Sequence, residues 1–270
     1  MASKGLTLAI AAVFATAIAS AAATTAAIYH FTPPVQAVAA ETPADTGQDD
    51  FGQRVHDYLV ANPEVMLEVQ TALQQKQMAE EQAAAKAALV ANKDKLLEPD
   101  HDAVFGNKDG AINVIEFFDY NCGYCRRAVP DMDGIIAKND DVRFVLKEIP
   151  VLGPDSEAAQ KISYAMLRVA PEKYSDFHHA LMESGTKANE ETAIAVAGSL
   201  GVDEATIRQA MKDYPAKDAL DPHFALARAI GVTGTPAYII GDTLIQGAVG
   251  ADTLQKAIDN VRSCGDANCS

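Results

Sequence analysis

Cys122-Gly123-Tyr124-Cys125 places two thiols three residues apart, directly after the apolar run Ala111 to Tyr120 (AINVIEFFDY). The run reads as a buried strand, and the first cysteine then opens a helix. At that place a thiol meets unpaired backbone N–H groups and the positive end of the helix dipole, so its thiolate is stabilised. An ordinary thiol near pKa 8.5 is only a few per cent ionised at neutral pH, whereas one lowered to about 7 is half ionised. The second thiol, one helical turn on, can attack a mixed disulfide formed at the first. The spacing therefore suits thiol–disulfide exchange, with Cys122 as nucleophile and Cys125 as resolving thiol. A structural disulfide or half of a zinc site would use the same pair. A zinc site needs further ligands. His178 and His179 are adjacent and read as surface residues, and Cys264 and Cys269 reach the pair only if the tail folds back.

The elements that must position the dithiol follow from the pattern. Ala103 to Phe105 is a short strand, Ala111 to Tyr120 a central one and Val142 to Ile149 the next. The dithiol opens a helix to about Ala137. Residues 155–230 carry helical signals throughout. Ala237 to Ile240 and Thr243 to Gln246 form a hairpin across Gly241-Asp242, and Asp252, a plausible N-cap, begins a closing helix to Arg262. A short mixed sheet with helices on both faces fits this order, an α/β class.

Before the globular body, residues 51–98 read as an N-terminal helical region. A first helix covers Phe51 to Ala61, and Asn62-Pro63-Glu64 supplies a cap, a proline at the first helical position and an acid in the first turn. Beyond Gln74 few large apolar residues remain, so the stretch reads as an exposed helix or spacer. Leu59, Met66 and Leu73 are seven apart, as are Val55, Asn62 and Val69. They suggest a short self-association seam, and the alternative is a helix packed on its own domain. Residues 41–50, rich in Pro, Thr, Asp and Gly, read as a linker. Residues 1–40 hold one charge, Lys4, before the apolar run Leu6 to Ala19, as in an export signal or a retained membrane anchor. Either places the body in an oxidising compartment.

The chain has 270 residues and a formal net charge of −15; since Lys4 is the only charge in the first 40, residues 41–270 hold 21 basic and 37 acidic residues, or −16. Such a chain binds phosphate backbones and anionic lipid poorly, and the absence of Trp weakens any base-stacking role, so nucleic acid is not an expected partner.

The motifs together resemble the thioredoxin-like thiol:disulfide oxidoreductases of the bacterial envelope. IEFFDYNCGYC, Pro130 and GVTGTPAYII resemble the DsbA-type branch, in which a thioredoxin fold carries a helical insertion. The resemblance covers about Asp102 to Arg262 and implies a DsbA-like domain over residues 99–262, with the insertion at about 155–230. LVANPEVMLEVQ resembles the N-terminal part of the suppressor-of-copper-sensitivity C (ScsC) and Com1-like proteins. The resemblance implies a cis-proline loop at Thr235-Pro236 that positions an extended client chain, together with Gly123 and Tyr124. It implies a kink at Pro130. It also implies a buried acid under the dithiol, Glu116, able to pass a proton to or from Cys125, with Lys147 as its candidate partner. No organic cofactor is implied.

Gly123-Tyr124 departs from the Pro-His of strongly oxidising DsbA-type members and resembles the dithiol of DsbC-type isomerases, which also carry Thr before the cis-proline. An isomerase or reductase is therefore expected, acting on exported proteins with cysteines and kept reduced by a membrane thiol reductase (DsbD- or ScsB-like). An oxidase is the alternative. Two thiolates at one helix start would also suit Cu(I), though no Met-rich cluster supports a dedicated carrier. In the tail, residues 263–270, Cys264 and Cys269 read as a local disulfide, with a mobile second dithiol as the functional alternative.

Overall fold

The computed structural model describes residues 48–98 and 100–269. The segment expected to be an export signal or anchor, residues 1–40, lies outside them, as does most of the expected linker. The chain divides into two units at Val69/Gln70.

The first unit holds α1 (Gln48–Ala61) and the opening turns of α2 (Glu64–Ala91). Helix α1 takes in the last three residues of the expected linker, Gln48 to Asp50. Pro63 lacks the N–H that would continue α1 but is tolerated at the start of a helix. The Asn62 side chain donates to the Tyr58 carbonyl at 2.8 Å, capping the break. No described side chain of this unit is buried. Phe51, Val55, Tyr58, Val60, Met66, Leu67 and Val69 are all exposed, and Leu59 of the sevenfold pattern is half-buried.

The second unit is built on a five-stranded sheet in the order β1-β3-β2-β4-β5. Its strands are β1 (Ala103–Gly106), β2 (Ile112–Phe118), β3 (Val142–Glu148), β4 (Ala237–Ile240) and β5 (Thr243–Gln246). Only β2 and β3 pair in parallel, and the crossover between them is α4 (Gly123–Lys138). A parallel pair needs such a crossover, whereas β4 and β5 close with a two-residue turn in which Gly241 takes φ 62°.

Strand β2 alternates between two apolar layers. Val114 and Phe118 face the layer formed with α4, the helices after β3 and α10 (Ala251–Cys264); these are α5 (Pro154–Val169), α6 (Tyr174–Glu183), α7 (Glu190–Ser199) and α8 (Glu204–Asp213). Ile115 and Phe117 face the other layer with α9 (Lys217–Ala229), the end of α2 and α3 (Lys93–Leu97). Phe117 is fully buried, and its loss to Ala would cost about 3–5 kcal/mol.

Three expectations need correction. The stretch beyond Gln74 is not exposed throughout: Leu89 and Leu96 are buried against Ile115 and Ile239, because two well-spaced leucines suffice to dock a helix end. His178 is not a surface residue. It is buried against Phe105, Phe118 and Tyr120, and burial holds its pKa down to about 3, so it stays neutral. Asp252 does not cap α10; the helix starts one residue earlier behind Gly250, whose φ is 84°.

Among the described residues no helix is long and apolar enough to cross a membrane.

Candidate active site

Strand β2 delivers the chain to a buried carboxylate, Asp119, that organises the turn into α4. Asp119 Oδ1 accepts from the Asn121 N–H at 2.7 Å and the Ser156 hydroxyl at 2.8 Å, and Oδ2 accepts from the Leu152 N–H at 3.0 Å. The Asp119 carbonyl accepts from the Cys122 N–H at 3.0 Å. Asn121 exchanges two 2.8 Å hydrogen bonds with the Ala188 backbone. The turn is thus tied to the helical block on several sides.

Cys122 is the N-cap residue of α4, with φ −72° and ψ 111°. Its sulfur accepts from the Cys125 N–H at 3.4 Å, and its thiol donates to the Thr235 carbonyl at 3.2 Å. The Thr235–Pro236 bond is cis, as the resemblance implied. Cys122 keeps 6 % of its surface accessible and Cys125 1 %. Both are free thiols. The hydrogen bond from the Cys125 thiol is the largest influence on Cys122. With help from the Thr235 side chain and the Cys125 and Tyr124 N–H groups, it lowers the pKa to about 5 against the opposing push of burial. Cys125 is driven far up, by burial first, then by its own hydrogen bond to Cys122 and by the charge of Glu116. At neutral pH the two sulfurs are therefore one thiolate and one thiol.

Gly123 and Tyr124 sit exposed beside the thiolate. Tyr124 is 61 % accessible, and the Arg127 guanidinium lies 4.4 Å from its ring centroid. Nothing in the backbone demands glycine at 123, where a Cβ would meet only Arg127 Nη1 at 3.6 Å. Pro130 lies inside α4.

Glu116 is buried on the same sheet face as Phe118, which packs in one layer with Cys122 and Cys125. Burial raises its pKa to about 8, the charge of Cys122 adds to the rise, and a hydrogen bond from Tyr238 opposes it. Lys147 is not its partner. Glu116 pairs in register with Leu146, so Lys147, one residue on, points to the opposite face. There Lys147 is bonded to the buried Asp102, which also meets His223 Nε2 at 2.7 Å.

Cys264 and Cys269 are joined by a disulfide. The residues that sequence reasoning missed are Asp119, Asn121 and Tyr238. Asp119 could have been suspected as a carboxylate ending a strand of otherwise apolar residues. Tyr238 could have been found by pairing the two strands, since it is the cross-strand neighbour of Glu116.

The model of the DsbA-like thioredoxin domain matches residues 113–259. The chain belongs to the DsbA-like thioredoxin family. Residues 48–80 match the family described as the copper resistance protein ScsC N-terminal domain. The DsbA-like chain is 36% identical to a thioredoxin-like oxidoreductase from Silicibacter pomeroyi, with a TM-score of 0.61, covering 64% of this chain and 99% of that one. It is 30% identical to Proteus mirabilis ScsC in a transitional conformation, with a TM-score of 0.59, covering 78% of this chain and 95% of that one. Disulfide bond formation protein D of Bacillus subtilis is 27% identical over 58% of this chain and 75% of that protein. The chain also matches a Na(+)/H(+) antiporter of Salinispora tropica, 21% identical over 60% of this chain, but spans only 25% of that protein's length.

Proposed function

We propose that this protein is a thiol:disulfide oxidoreductase that acts on the disulfides of exported proteins through a mixed disulfide at Cys122. The observation that carries this reading is the Cys122 sulfur at the start of α4, held by the Cys125 N–H and facing Thr235 of the cis-proline loop. The Cys122 thiolate attacks a client disulfide; one client sulfur leaves as thiolate and the other is bonded to Cys122. Cys125 then loses its proton to the Glu116 carboxylate and attacks Cys122. The enzyme disulfide forms and the second client sulfur is released reduced. While Cys122 is ionised its charge raises Glu116; once Cys122 is consumed in the mixed disulfide that push is gone, and a larger fraction of Glu116 is the carboxylate that can take a proton at the step that needs one. Thr235 and Pro236, with Gly123 and Tyr124, border the sulfur and position the client chain.

The direction of flux favoured here is isomerase or reductase. A stabilised thiolate favours the reduced dithiol, the form an isomerase must present to a scrambled client. A membrane thiol reductase of the DsbD or ScsB kind would regenerate it, the compartment would be the periplasm, and residues 51–98 would join copies of the chain, since Phe51, Val55, Tyr58, Val60, Met66 and Val69 are exposed. The same acidity of Cys122 favours a second reading, because stabilising the reduced form also makes the disulfide form a strong oxidant. Refolding decides between them. Rescue of scrambled ribonuclease by the reduced protein, as a multimer in solution, supports isomerase. Rapid oxidation of reduced ribonuclease by a monomer, without rescue of the scrambled form, assigns the oxidase instead.

A further inference from the structure

Glu116 is a buried acid without a cation. Among the described residues no Lys, Arg or His forms an ion pair with it, and the lysine next along β3 is committed to Asp102 on the far face. Its polar contact is the Tyr238 hydroxyl, 3.5 Å from Oε1 across the β2–β4 pair. Tyr238 is itself buried in the layer that contains Cys122 and Cys125. A phenol in such a place must find an acceptor, and a phenylalanine would fill the apolar part of the space equally well. The other titratable groups that act on this carboxyl or on Tyr238 are Cys122 at the start of α4 and Cys125 and Asp131 on it, and along β3 the same face carries Glu148. Glu148 shares the sheet face of Leu146 but is hydrogen bonded to Ser163. All but Tyr238 are acids or thiols, whose charge could only oppose ionisation of Glu116.

We propose that Tyr238 is a positioning residue for proton transfer: its hydroxyl, donated to Glu116, holds the carboxylate that takes the Cys125 proton in the resolving step. This rests on the reading of Glu116 given above. In that step the Cys125 S–H bond breaks and its proton passes to Glu116. The Cys125 electron pair then forms the bond to Cys122 Sγ, and the client sulfur leaves with the electrons of the mixed disulfide. The client is reduced and the dithiol oxidised. Tyr238 takes no proton itself; it makes the carboxylate less costly to form inside an apolar layer.

The test reacts the reduced protein with one equivalent of the aromatic disulfide known as Ellman's reagent. The first coloured thiolate released reports attack by Cys122, and the second reports resolution by Cys125. In Tyr238→Phe the second release should have its rising pH limb moved up by about one unit and slow about tenfold at neutral pH, as expected for the loss of one hydrogen bond to a buried carboxylate. The first release should stay within about twofold, because its thiolate is set by Cys125 and Thr235. Glu116→Gln should remove the limb, and adding Tyr238→Phe to it should change nothing further. The infrared carbonyl band of protonated Glu116, followed across pH in the reduced protein, reads the same shift without turnover and serves if Tyr238→Phe is too unstable for kinetics. An unmoved limb in Tyr238→Phe, with the limb lost in Glu116→Gln, overturns the proposal and leaves Glu116 as proton acceptor. An effect of Tyr238→Phe that persists in the Glu116→Gln background makes Tyr238 structural and also overturns it. A limb that survives Glu116→Gln removes the role of Glu116, and that of Tyr238 with it.

Discussion

The chain carries two pairs of cysteines at opposite ends of two helices. Cys122 caps the N-terminus of α4, where its sulfur accepts an N–H, and the pair stays a dithiol. Cys264 is the last residue of α10, and its disulfide with Cys269 lies against carbonyls, Asp266 O at 3.3 Å from one sulfur and Asn260 O at 3.3 Å from the other. Cys122 also faces a carbonyl, that of Thr235 at 3.2 Å, but it sits among amide hydrogens at the positive helix end, which stabilise a thiolate, whereas the tail pair sits at the negative end. One pair is therefore suited to exchange and the other to remain closed. Spacing alone does not separate them; the helix end does.

The largest expected effect breaks the comparison at its centre. Cys122→Ser should lower turnover of a scrambled client by roughly 10³-fold or more, since no other thiol of the site is ionised at neutral pH. Cys125→Ser should instead accumulate the mixed disulfide, visible as a client adduct on a non-reducing gel. An active Cys122→Ser protein would show that the nucleophile has been misassigned.

The acidity itself is next. With a pKa near 5, the alkylation rate of Cys122 by iodoacetamide should rise through about pH 5 and be level from pH 6 to 8, while Cys125 stays unreactive. An ordinary thiol would still be gaining rate across that upper range, toward a midpoint of about 8.5. Such a profile at Cys122 would remove the distinction between the two pairs.

How much of this was legible beforehand follows the range over which each signal acts. The dithiol, the hairpin and the tail disulfide are written in adjacent residues, and local rules reach them; Pro130 inside its helix came only with the family pattern, because a proline by itself reads as a helix end. Thr235-Pro236 and Glu116 needed the family pattern, because nothing local marks a proline as cis or an acid as buried. Lys147 was misplaced because its face depends on strand register, which a single residue decides. His178 looked polar because Ser175, Asp176 and His179 beside it are polar, while its burial comes from Phe105 and Phe118 on strands β1 and β2. Leu89 and Leu96 escaped notice because they are the single buried residues of two successive helices, and one buried side chain shows no periodicity. Tyr238 was missed for the same reason as Lys147: its meaning lies across the sheet.

A subtler contrast concerns stability. The lowered pKa of Cys122 means that in the reduced protein its contribution is full above about pH 8.5 and is lost as pH falls through about 5. Glu116 works in the reverse sense: its raised pKa favours folding below about pH 4.5, and this is lost as pH rises through about 8. Across pH 5 to 8 the two slopes oppose each other, and the reduced wild type should show a nearly flat melting temperature from this pair. Reduced Glu116→Gln should unmask the thiolate, with a melting temperature that climbs over the same interval. Oxidised wild type, which has no Cys122 thiolate, should lose melting temperature relative to the reduced form as pH rises over this interval. His178 and Glu148 add slopes of their own but keep them in both redox forms, so a reduced Glu116→Gln profile that climbs no more than its oxidised form would mean that Cys122 is not acidic.

The smallest effect belongs to the tail pair, and it sharpens the comparison from the other side. Cys264→Ser combined with Cys269→Ser opens a loop that closes only five residues, so the chain-entropy gain it forfeits is roughly 2 kcal/mol at most. The loop has other anchors. Ala267 is buried, its carbonyl accepts from Asn260 Nδ2 at 2.7 Å, Asn268 Nδ2 donates to Thr243 Oγ1 at 3.1 Å, and Asp266 pairs with Lys86 at 3.2 Å. These contacts should hold the loop near its place and keep the loss below that ceiling, a fall of a few degrees in melting temperature for a domain of this size. Turnover of scrambled ribonuclease should stay within about twofold, since no sulfur of the tail contributes to the acidity of Cys122. A tenfold loss of turnover at unchanged stability would mean that the tail pair passes electrons to or from the dithiol. The closed disulfide at the helix C-terminus would then be a working partner rather than a fastening.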